Sequence, residues 1–185
     1  RKARRGGYDG RGNVPVESAE DADDALAAVS GDLMAEAFVP FERELSVIAA
    51  KGDDEVATFP VGENVHEAEI LRETVVPARA SEAVCERAES VARDVLDAMS
   101  GRGVYGIELF EAGGTAEAAG SGDILVNEIA PRPHNSGHYT IEGALTSQFE
   151  QHVRGVLGYP LGATDLRGPV AMSNVLGAVE EPRPA

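Results

Sequence analysis

A polar, proline-rich stretch at residues 127–140 has the composition of an active-site loop. It reads NEIAPRPHNSGHYT and directly follows a short apolar run. Its two prolines prevent a regular helix or strand from continuing through it. Arg132 can bind an anion, and His134 and His138 can carry protons near neutral pH. A solvated connection, whose polar groups satisfy only its own backbone, is the alternative interpretation.

Two glutamates on neighbouring predicted strands have the chemistry of a magnesium site. The sequence predicts strands at 104–110 and 123–129 that form a hairpin around a linker rich in Gly and Ala. A register centred on that linker places Glu108 opposite Glu128, with Asn127 beside them. Facing carboxylates repel each other unless a cation lies between them, and oxygen-only ligands suit Mg²⁺ that carries nucleotide phosphates.

The first thirteen residues form the basic segment of an otherwise acidic chain. They read RKARRGGYDGRGN and combine Lys and Arg with glycines. Glycines let backbone N–H groups approach phosphate oxygens, and the cationic side chains offset the phosphate charge. The spacing matches neither a Walker loop nor a dinucleotide fingerprint. The segment therefore predicts a polyphosphate site of another kind, with a flexible basic tail as the alternative.

The chain is strongly acidic, with a formal net charge of -16 from 32 acidic and 16 basic residues. This charge argues against nonspecific binding to nucleic acid or to anionic membranes. Only Lys2 and Lys51 are lysines. An acidic surface poor in lysine is typical of proteins kept soluble in strong salt, so a halophilic source is a hypothesis beside that of an ordinary acidic protein. The dependence of melting temperature on KCl concentration tests it.

Length and composition indicate a globular, cytoplasmic protein. The 185 residues are 43% hydrophobic and 26% charged. The single cysteine, Cys85, excludes an internal disulfide, and its apolar helical position indicates core packing. No apolar stretch reaches the length of a membrane span or of a signal-peptide core. The first residue is Arg and functional residue types begin at once, so we expect a piece of a longer protein.

The rest of the pattern predicts the elements that position these groups. Further strands are predicted at 33–39, 44–50, 55–61, 70–76 and 170–179, and helices at 18–30, 81–100 and 141–157. Ser18 and Asp21 form a cap pair for the first helix, and the tight connection PFER joins the first two of these strands. His66 falls in a predicted loop.

The last predicted helix directly follows the polar loop, so its N-terminal dipole favours an anion there. Its apolar residues share one face: Leu145, Phe149, Val153 and Val156. The helix at 81–100 has the clearest apolar stripe of the chain and serves as scaffold.

Six segments carry a resemblance to a known family. In chain order they are RRGGYDGRG, EAFVPFERELSVIAA, ENVHEAEILRETVVPA, YGIELF, NEIAPRPHNSGHYTIEGALTSQFEQHVRGVLG and AMSNVLG. Together they resemble the N5-carboxyaminoimidazole ribonucleotide synthase family of ATP-grasp enzymes. The resemblance implies an α+β fold in which two α+β lobes clasp ATP. It implies an ATP-grasp domain at 1–158 and the start of a small β-rich C-terminal domain at 159–185.

The resemblance also implies a reaction of de novo purine synthesis. ATP phosphorylates bicarbonate to carboxyphosphate, and the amine of 5-aminoimidazole ribonucleotide captures the carboxyl group or released CO₂. The products are the N5-carbamate, ADP and phosphate, with Mg²⁺ or Mn²⁺ as the metal. The family suggests a homodimer. It also has an additional N-terminal domain and C-terminal segment, so we expect little or no turnover from the 185-residue chain alone.

Site residues follow from the resemblance position by position. The implied ATP contacts are Lys2, Gly7, Tyr8, Asp9, Gly10, Arg11, Gly12, Asn13, Glu36, Ala37, Phe38, Val39, Glu44, His66, Asn127 and Glu128. The implied substrate contacts are Tyr8, Asp9, Arg132, Asn135, Ser136 and His138. Glu108 and Glu128 match the metal carboxylates. Arg132 and His134 match the catalytic pair, in which Arg supplies charge and His transfers or orients a proton.

Three alternatives stay open from the sequence. Another ATP-grasp ligase, of the formate-dependent transformylase or biotin carboxylase type, would keep the metal carboxylates, although GGYDGRG and PRPHNSGHYT argue against it. A noncatalytic nucleotide-binding module would share the fold, although the intact catalytic pair argues against it. A transition-metal site at His134 and His138 requires a helix, which Pro133 and Gly137 disfavour.

Overall fold

The computed structural model describes residues 2–3, 14–16, 18–28, 33–67, 70–113 and 123–177. The chain divides into two compact units, Arg1–Val39 with Ala68–Ile70, and Pro40–Glu67 with Leu71–Ala185. This division falls after residue 39 and does not coincide with the domain boundary predicted at 158. The boundary at 158 stays a prediction. Among the described residues, no helix has the length and apolar character needed to cross a membrane.

The smaller unit contains a two-stranded antiparallel sheet and one short helix. Strand β1 (Lys2–Ala3) pairs with β2 (Leu33–Met34), and α1 spans Ala22–Ala28. The predicted cap pair is confirmed, because the N–H and Oγ of Ser18 both donate to Asp21 Oδ2, at 2.9 and 2.8 Å. The strand predicted at 33–39 is wrong beyond Met34: the side chains of residues 35–38 are exposed, so this segment has no buried face.

The larger unit is built on a seven-stranded sheet, and every residue of the sheet except Ile70 belongs to it. Its strands are β3 (Phe41–Lys51), β4 (Val56–Thr58), β5 (Gly62–Glu67), β6 (Ile70–Val76), β7 (Gly103–Ala112), β8 (Ile124–Ala130) and β9 (Val170–Ser173). They lie in the order β8-β7-β3-β5-β6-β9, with β4 also paired to β3. The long strand β3 and the hairpin of β7 and β8 thus form one continuous antiparallel ladder.

The helix predicted at 81–100 is confirmed as α2 (Glu82–Ala98), and it covers one face of the sheet. Successive strand side chains point to opposite faces, so Leu45 and Val47 of β3 share one face. They form a core cluster with Ala92 and Leu96 of α2, all fully buried. This face is apolar, as the stripe of α2 predicts.

Both ends of α2 have their own hydrogen bonds. At its start, Ser81 Oγ accepts from the backbone N–H of Val84 at 3.3 Å. At its end, Lys51 Nζ donates to the carbonyl oxygens of Leu96 and Met99, each at 2.5 Å. A cation at the carbonyl end of a helix also complements the helix dipole. One of the two lysines therefore attaches α2 to the end of β3.

The opposite face of the sheet has a smaller core and two further helices. Ile48, Phe59, Val104 and Ala144 cluster there with other apolar side chains. Helix α3 spans Thr140–Gly143 and α4 spans Gln148–Leu157. A Cβ on Gly155 of α4 would lie 2.8 Å from the Lys51 carbonyl oxygen, so α4 reaches the sheet backbone where it has no side chain.

The single helix predicted at 141–157 is wrong. The chain is extended at Ala144 (φ -110°, ψ 165°), and α4 begins only after Ser147, whose Oγ accepts from Glu150 N–H at 3.2 Å. A serine N-cap starts a new helix at that point. The N-terminus of α4 therefore does not directly follow the polar loop, contrary to the prediction.

Four predictions about the strands and their connections also need correction. The strand at 55–61 is shortened to β4. The segment around His66 is strand β5 rather than the predicted loop. The sequence does not show this strand because its inward residues, Gly62, Asn64 and His66, give no apolar alternation. PFER is no tight turn, since β3 already begins at Phe41. The strand at 170–179 ends at Ser173 within the described residues. The strands at 44–50 and 70–76 are confirmed.

Candidate active site

The hairpin of β7 and β8 brings the two predicted metal carboxylates together. Glu108 and Glu128 are directly paired across the antiparallel ladder, which confirms the predicted register. The register then shifts by one, because Leu109 pairs with Val126. Asn127 is therefore the extra residue of a β-bulge, a feature that redirects side chains beside many active sites.

Four more residues extend this face across the sheet. Glu108 pairs with Ser46 of β3, and Glu44, two residues before Ser46, pairs with Asn64 of β5. His66 follows two residues after Asn64, so period-two alternation keeps it on the same face. Its Nδ1 forms an ion pair with Glu44 Oε2. The site face is thus opposite to the face covered by α2.

His134 lies on this face beside Glu108. A Cβ on Gly106 would lie 2.6 Å from His134 Cγ, so the ring needs a glycine beneath it. His134 Nε2 is 3.8 Å from Glu108 Oε1. The backbone N–H of Ser136 can only donate, and it lies 3.4 Å from His134 Nδ1. This contact assigns the ring proton to Nε2, the nitrogen that faces Glu108.

The site shifts three pKa values. Burial raises the pKa of Glu108; His66 opposes this shift, and the negative charge of Glu128 adds to it. Burial lowers the pKa of His134 to about 4, and the charge of Arg132 acts in the same direction. The hydrogen bond that His66 donates to Glu44 raises the pKa of His66. At neutral pH His134 is therefore a neutral ring on a face that carries several charges.

The oxygen donors at the hairpin fit a magnesium ion. Glu108 is half-buried, and burial makes the ionised form of its carboxyl group unfavourable. A cation held between Glu108 and Glu128 would offset this negative charge. Among the described residues, no group of three or more His, Cys, Asp or Glu side chains could hold a metal ion. A cation here would therefore need further oxygens, from Asn127 or from a bound ligand.

A sequence model of the ATP-grasp domain matches residues 1–149. The chain belongs to the ATP-grasp family. The predicted fold class and family resemblance are thereby confirmed.

Individual relatives share a narrower description. The chain is 42% identical over 178 residues to N5-carboxyaminoimidazole ribonucleotide synthase of Bacillus subtilis, covering 95% of this chain and 45% of that protein. It is 44% identical to the synthase of Brucella melitensis, covering 100% of this chain and 50% of that one. The chain thus spans about half the length of the curated relatives it matches.

Solved structures agree. The Aspergillus clavatus synthase complexed with ATP has a TM-score of 0.84 and 41% identity, over 94% of this chain and 44% of that one. The same enzyme in complex with ADP and 5-aminoimidazole ribonucleotide has a TM-score of 0.82 and 40% identity, over 91% of this chain and 44% of that one.

The remaining predicted ATP-grasp site residues fall into three groups. The residues at 7–13 lie outside the described part, and only the backbone of Lys2, in β1, is described. Glu36, Ala37, Phe38 and Val39 belong to the smaller unit, where Phe38 is 89% exposed. Glu44, His66, Glu108 and Glu128 share the sheet face described above, with Asn127 at the bulge. The roles assigned to these residues stay predictions.

The polar loop divides into an exposed part and a buried part. Arg132 is exposed, with its Nη1 donating to the Pro133 carbonyl at 3.1 Å. Ser136 is fully buried, and its Oγ lies 2.9 Å from His134 Nδ1. The loop turns through a 3₁₀ helix at Asn135–Gly137 rather than an α-helix, and the exposed His138 ring lies 5.9 Å from that of Phe149. This geometry does not support the His134/His138 metal alternative.

Two residues of this candidate site are absent from the sequence prediction. Gly106 provides the space for His134, and Gln148 is fully buried against the backbone of the same histidine. A glycine inside an apolar strand was an available signal of close approach. Gln148 gave no comparable signal, because a polar residue in an amphipathic helix is expected on its exposed face.

Proposed function

We propose that the protein carrying this chain catalyses the ATP-dependent carboxylation of 5-aminoimidazole ribonucleotide by bicarbonate. ATP transfers its γ-phosphoryl group to bicarbonate, giving carboxyphosphate and ADP. The amine then takes the carboxyl group, giving N5-carboxyaminoimidazole ribonucleotide and phosphate. The observation that carries the proposal is the facing pair Glu108 and Glu128 with His134 beside it, in a chain whose similarity to a synthase covers 95% of its length.

The hairpin would hold the metal. Glu108 and Glu128, with Asn127 at the bulge, would bind Mg²⁺ or Mn²⁺. The ion would offset charge on the nucleotide phosphates during phosphoryl transfer. Glu108 has a raised pKa because of burial, so its negative charge is better tolerated beside a cation. The oxygen-only donor set favours these ions over zinc.

The loop would hold the anionic co-substrate. Arg132 is exposed at the start of the loop and supplies positive charge for bicarbonate and carboxyphosphate. His134 has a pKa of about 4 and carries its proton on Nε2, so near neutral pH it can donate a hydrogen bond without adding charge. Asn135, Ser136 and His138 are proposed to help bind the ribonucleotide.

The nucleotide would extend from this hairpin towards β5. Glu44 is proposed to bind the ribose and His66 to contact the nucleotide, and their ion pair restricts both side chains. Phosphates would be bound by Lys2 and by Gly7, Tyr8, Asp9, Gly10, Arg11, Gly12 and Asn13, of which Tyr8 and Asp9 would also contact the ribonucleotide. The adenine would pair with the hinge Glu36, Ala37, Phe38 and Val39.

Three properties of the whole protein are part of the proposal. We propose a homodimer that acts in the cytoplasm and whose acidic surface is suited to strong salt. The 185-residue chain alone is proposed to have little or no turnover, because it spans about half the length of its curated relatives.

The deciding experiment measures ADP formation by the full-length gene product with Mg-ATP and bicarbonate in high KCl. Strong stimulation by 5-aminoimidazole ribonucleotide is expected. Stimulation only when formate replaces bicarbonate would favour a transformylase. If ATP binds but neither co-substrate stimulates ADP formation, the noncatalytic nucleotide-binding module replaces the proposal.

A further inference from the structure

Gln148 is a fully buried amide that makes both of its side-chain hydrogen bonds to one residue. Its Oε1 accepts from the backbone N–H of His134 at 2.9 Å, and its Nε2 donates to the His134 carbonyl at 2.7 Å. A buried amide is costly unless it is hydrogen-bonded, and here both halves are. Because the two bonds act on the peptide groups before and after Cα, they fix the direction of the His134 side chain.

The rest of the loop is held at the same point. The backbone N–H of Gln148 donates to Thr140 Oγ1 at 2.9 Å, and Thr140 Oγ1 donates to the Gly137 carbonyl at 2.6 Å. A Cβ on Gly137 would lie 2.5 Å from Gln148 Oε1. The first turn of α4 therefore contacts both the start and the end of the 3₁₀ turn that carries Ser136.

Gln151 forms the same arrangement outside the site. It is also fully buried, its Nε2 donates to the Gly162 carbonyl at 2.6 Å, and its Oε1 accepts from the Gly162 N–H at 2.9 Å. The two glutamines lie three residues apart on α4 and differ mainly in the residue that they hold. Gln151 thus provides a matched internal control for Gln148.

We propose that Gln148 is a positioning residue for His134. Its amide holds the backbone from which the ring reaches Gly106, and Ser136 then fixes the ring plane, so that Nε2 stays 3.8 Å from Glu108 Oε1. The role in turnover rests on the function proposed above. Gln148 acts only through His134, and a small displacement of a reacting group can cost a large factor in rate.

The test compares Gln148→Met with Gln151→Met in the full-length gene product. Methionine keeps the length of the side chain but forms neither amide hydrogen bond. We expect Gln148→Met to lower kcat about 10- to 100-fold with KM for ATP changed by about twofold or less, and Gln151→Met to leave both nearly unchanged. Because each variant loses a buried pair of amide hydrogen bonds, both should lower the melting temperature to a similar extent. Equal loss of kcat in the two variants would overturn the proposal.

Amide hydrogen exchange and ring NMR provide readouts that do not depend on turnover. Gln148→Met should speed exchange of the His134 amide and move the His134 ring resonances, whereas Gln151→Met should affect only the Gly162 amide. If the wild-type protein lacks the proposed activity, unchanged His134 resonances in Gln148→Met would still overturn the positioning role. If Gln148→Met folds poorly, Gln148→Glu is the second variant to test. It keeps an acceptor for the His134 N–H and loses the donor to the His134 carbonyl, so the loss of kcat should be intermediate.

Discussion

The two long helices of the larger unit lie on opposite faces of one sheet and present opposite kinds of side chain to it. Helix α2 buries Ala88, Ala92 and Leu96. Helix α4 buries Gln148, Gln151 and Gly155. Its apolar stripe is exposed: Phe149 by 42%, Val153 by 54% and Val156 by 52%.

This difference separates a scaffold face from a site face. Apolar side chains stabilise α2 against the sheet without directing any polar group. Helix α4 instead has buried amides that hydrogen-bond the backbone of loops. Hydrogen bonds depend on direction, so these bonds can hold the backbone of His134 in one orientation. Helical periodicity therefore predicts that both segments are helices, but not which side of each faces the sheet.

The largest contrast is expected between two glutamates of β7 and β8 that face opposite sides. Glu128→Gln should lower ADP formation about 100-fold or more, because it removes a proposed metal ligand. Glu111 is the control: it is buried on the α2 face, where Arg43 Nη1 lies 3.0 Å from its Oε2. Glu111→Gln should lower stability and leave kcat of the folded protein nearly unchanged. Similar losses of kcat in both variants would contradict the assignment of the two faces.

A second contrast concerns stability rather than activity. Leu96→Ala in α2 should lower the free energy of unfolding by about 2–5 kcal/mol, since it opens a cavity in a fully buried core. Val153→Ala in α4 should change it by about 0.5 kcal/mol or less, since Val153 is 54% exposed. Urea denaturation of the two variants measures both values. A large loss for Val153→Ala would mean that its side chain is covered in solution.

The smallest effects concern two histidines of the site face. His66 should titrate above its usual pKa near 6.5, and His134 near 4, in ring NMR of metal-free protein. His66 therefore adds stability that is complete below about pH 6.5 and is lost as pH rises through its raised pKa. The depressed pKa of His134 makes stability fall as pH drops from about 6.5 towards about 4.

Two substitutions check these assignments. Glu44→Gln should lower the pKa of His66, because Glu44 is the main cause of its shift. His134→Gln should remove the resonance that titrates near 4. Titration of both rings near pH 6.5 in the unmodified protein would contradict the burial of His134.

Among the strands, the sequence predicts those whose inward face is apolar and misses the one whose inward face is polar. Strand Ile70–Val76 and helix α2 followed from their apolar spacing. Strand β5 did not, because Asn64 and His66 occupy inward positions that apolar residues hold elsewhere. The helix predicted at 141–157 overlooked the Ser147 cap for a similar reason: its apolar stripe continues across the break.

The site shows the same limit. The pairing of Glu108 with Glu128 was predictable because a hairpin register depends on two strands that are close in sequence. The contact of Gln148 with His134 depends on how α4 is rotated about its own axis. That rotation is set by Gly155 against the sheet and by the loops, which no local pattern of residues encodes.

The lysine that attaches α2 to β3 also offers a chemical label for local opening of the fold. Only Lys2 and Lys51 carry side-chain amines, and Lys51 Nζ is held by the carbonyl oxygens of Leu96 and Met99. Because these two hydrogen bonds hold the amine, acylation of Lys51 should become faster when the last turn of α2 separates from the strand. The labelling rate of Lys51 therefore times that local opening. Labelling at Lys2, which is proposed to bind phosphate, would report occupancy by nucleotide in the same experiment.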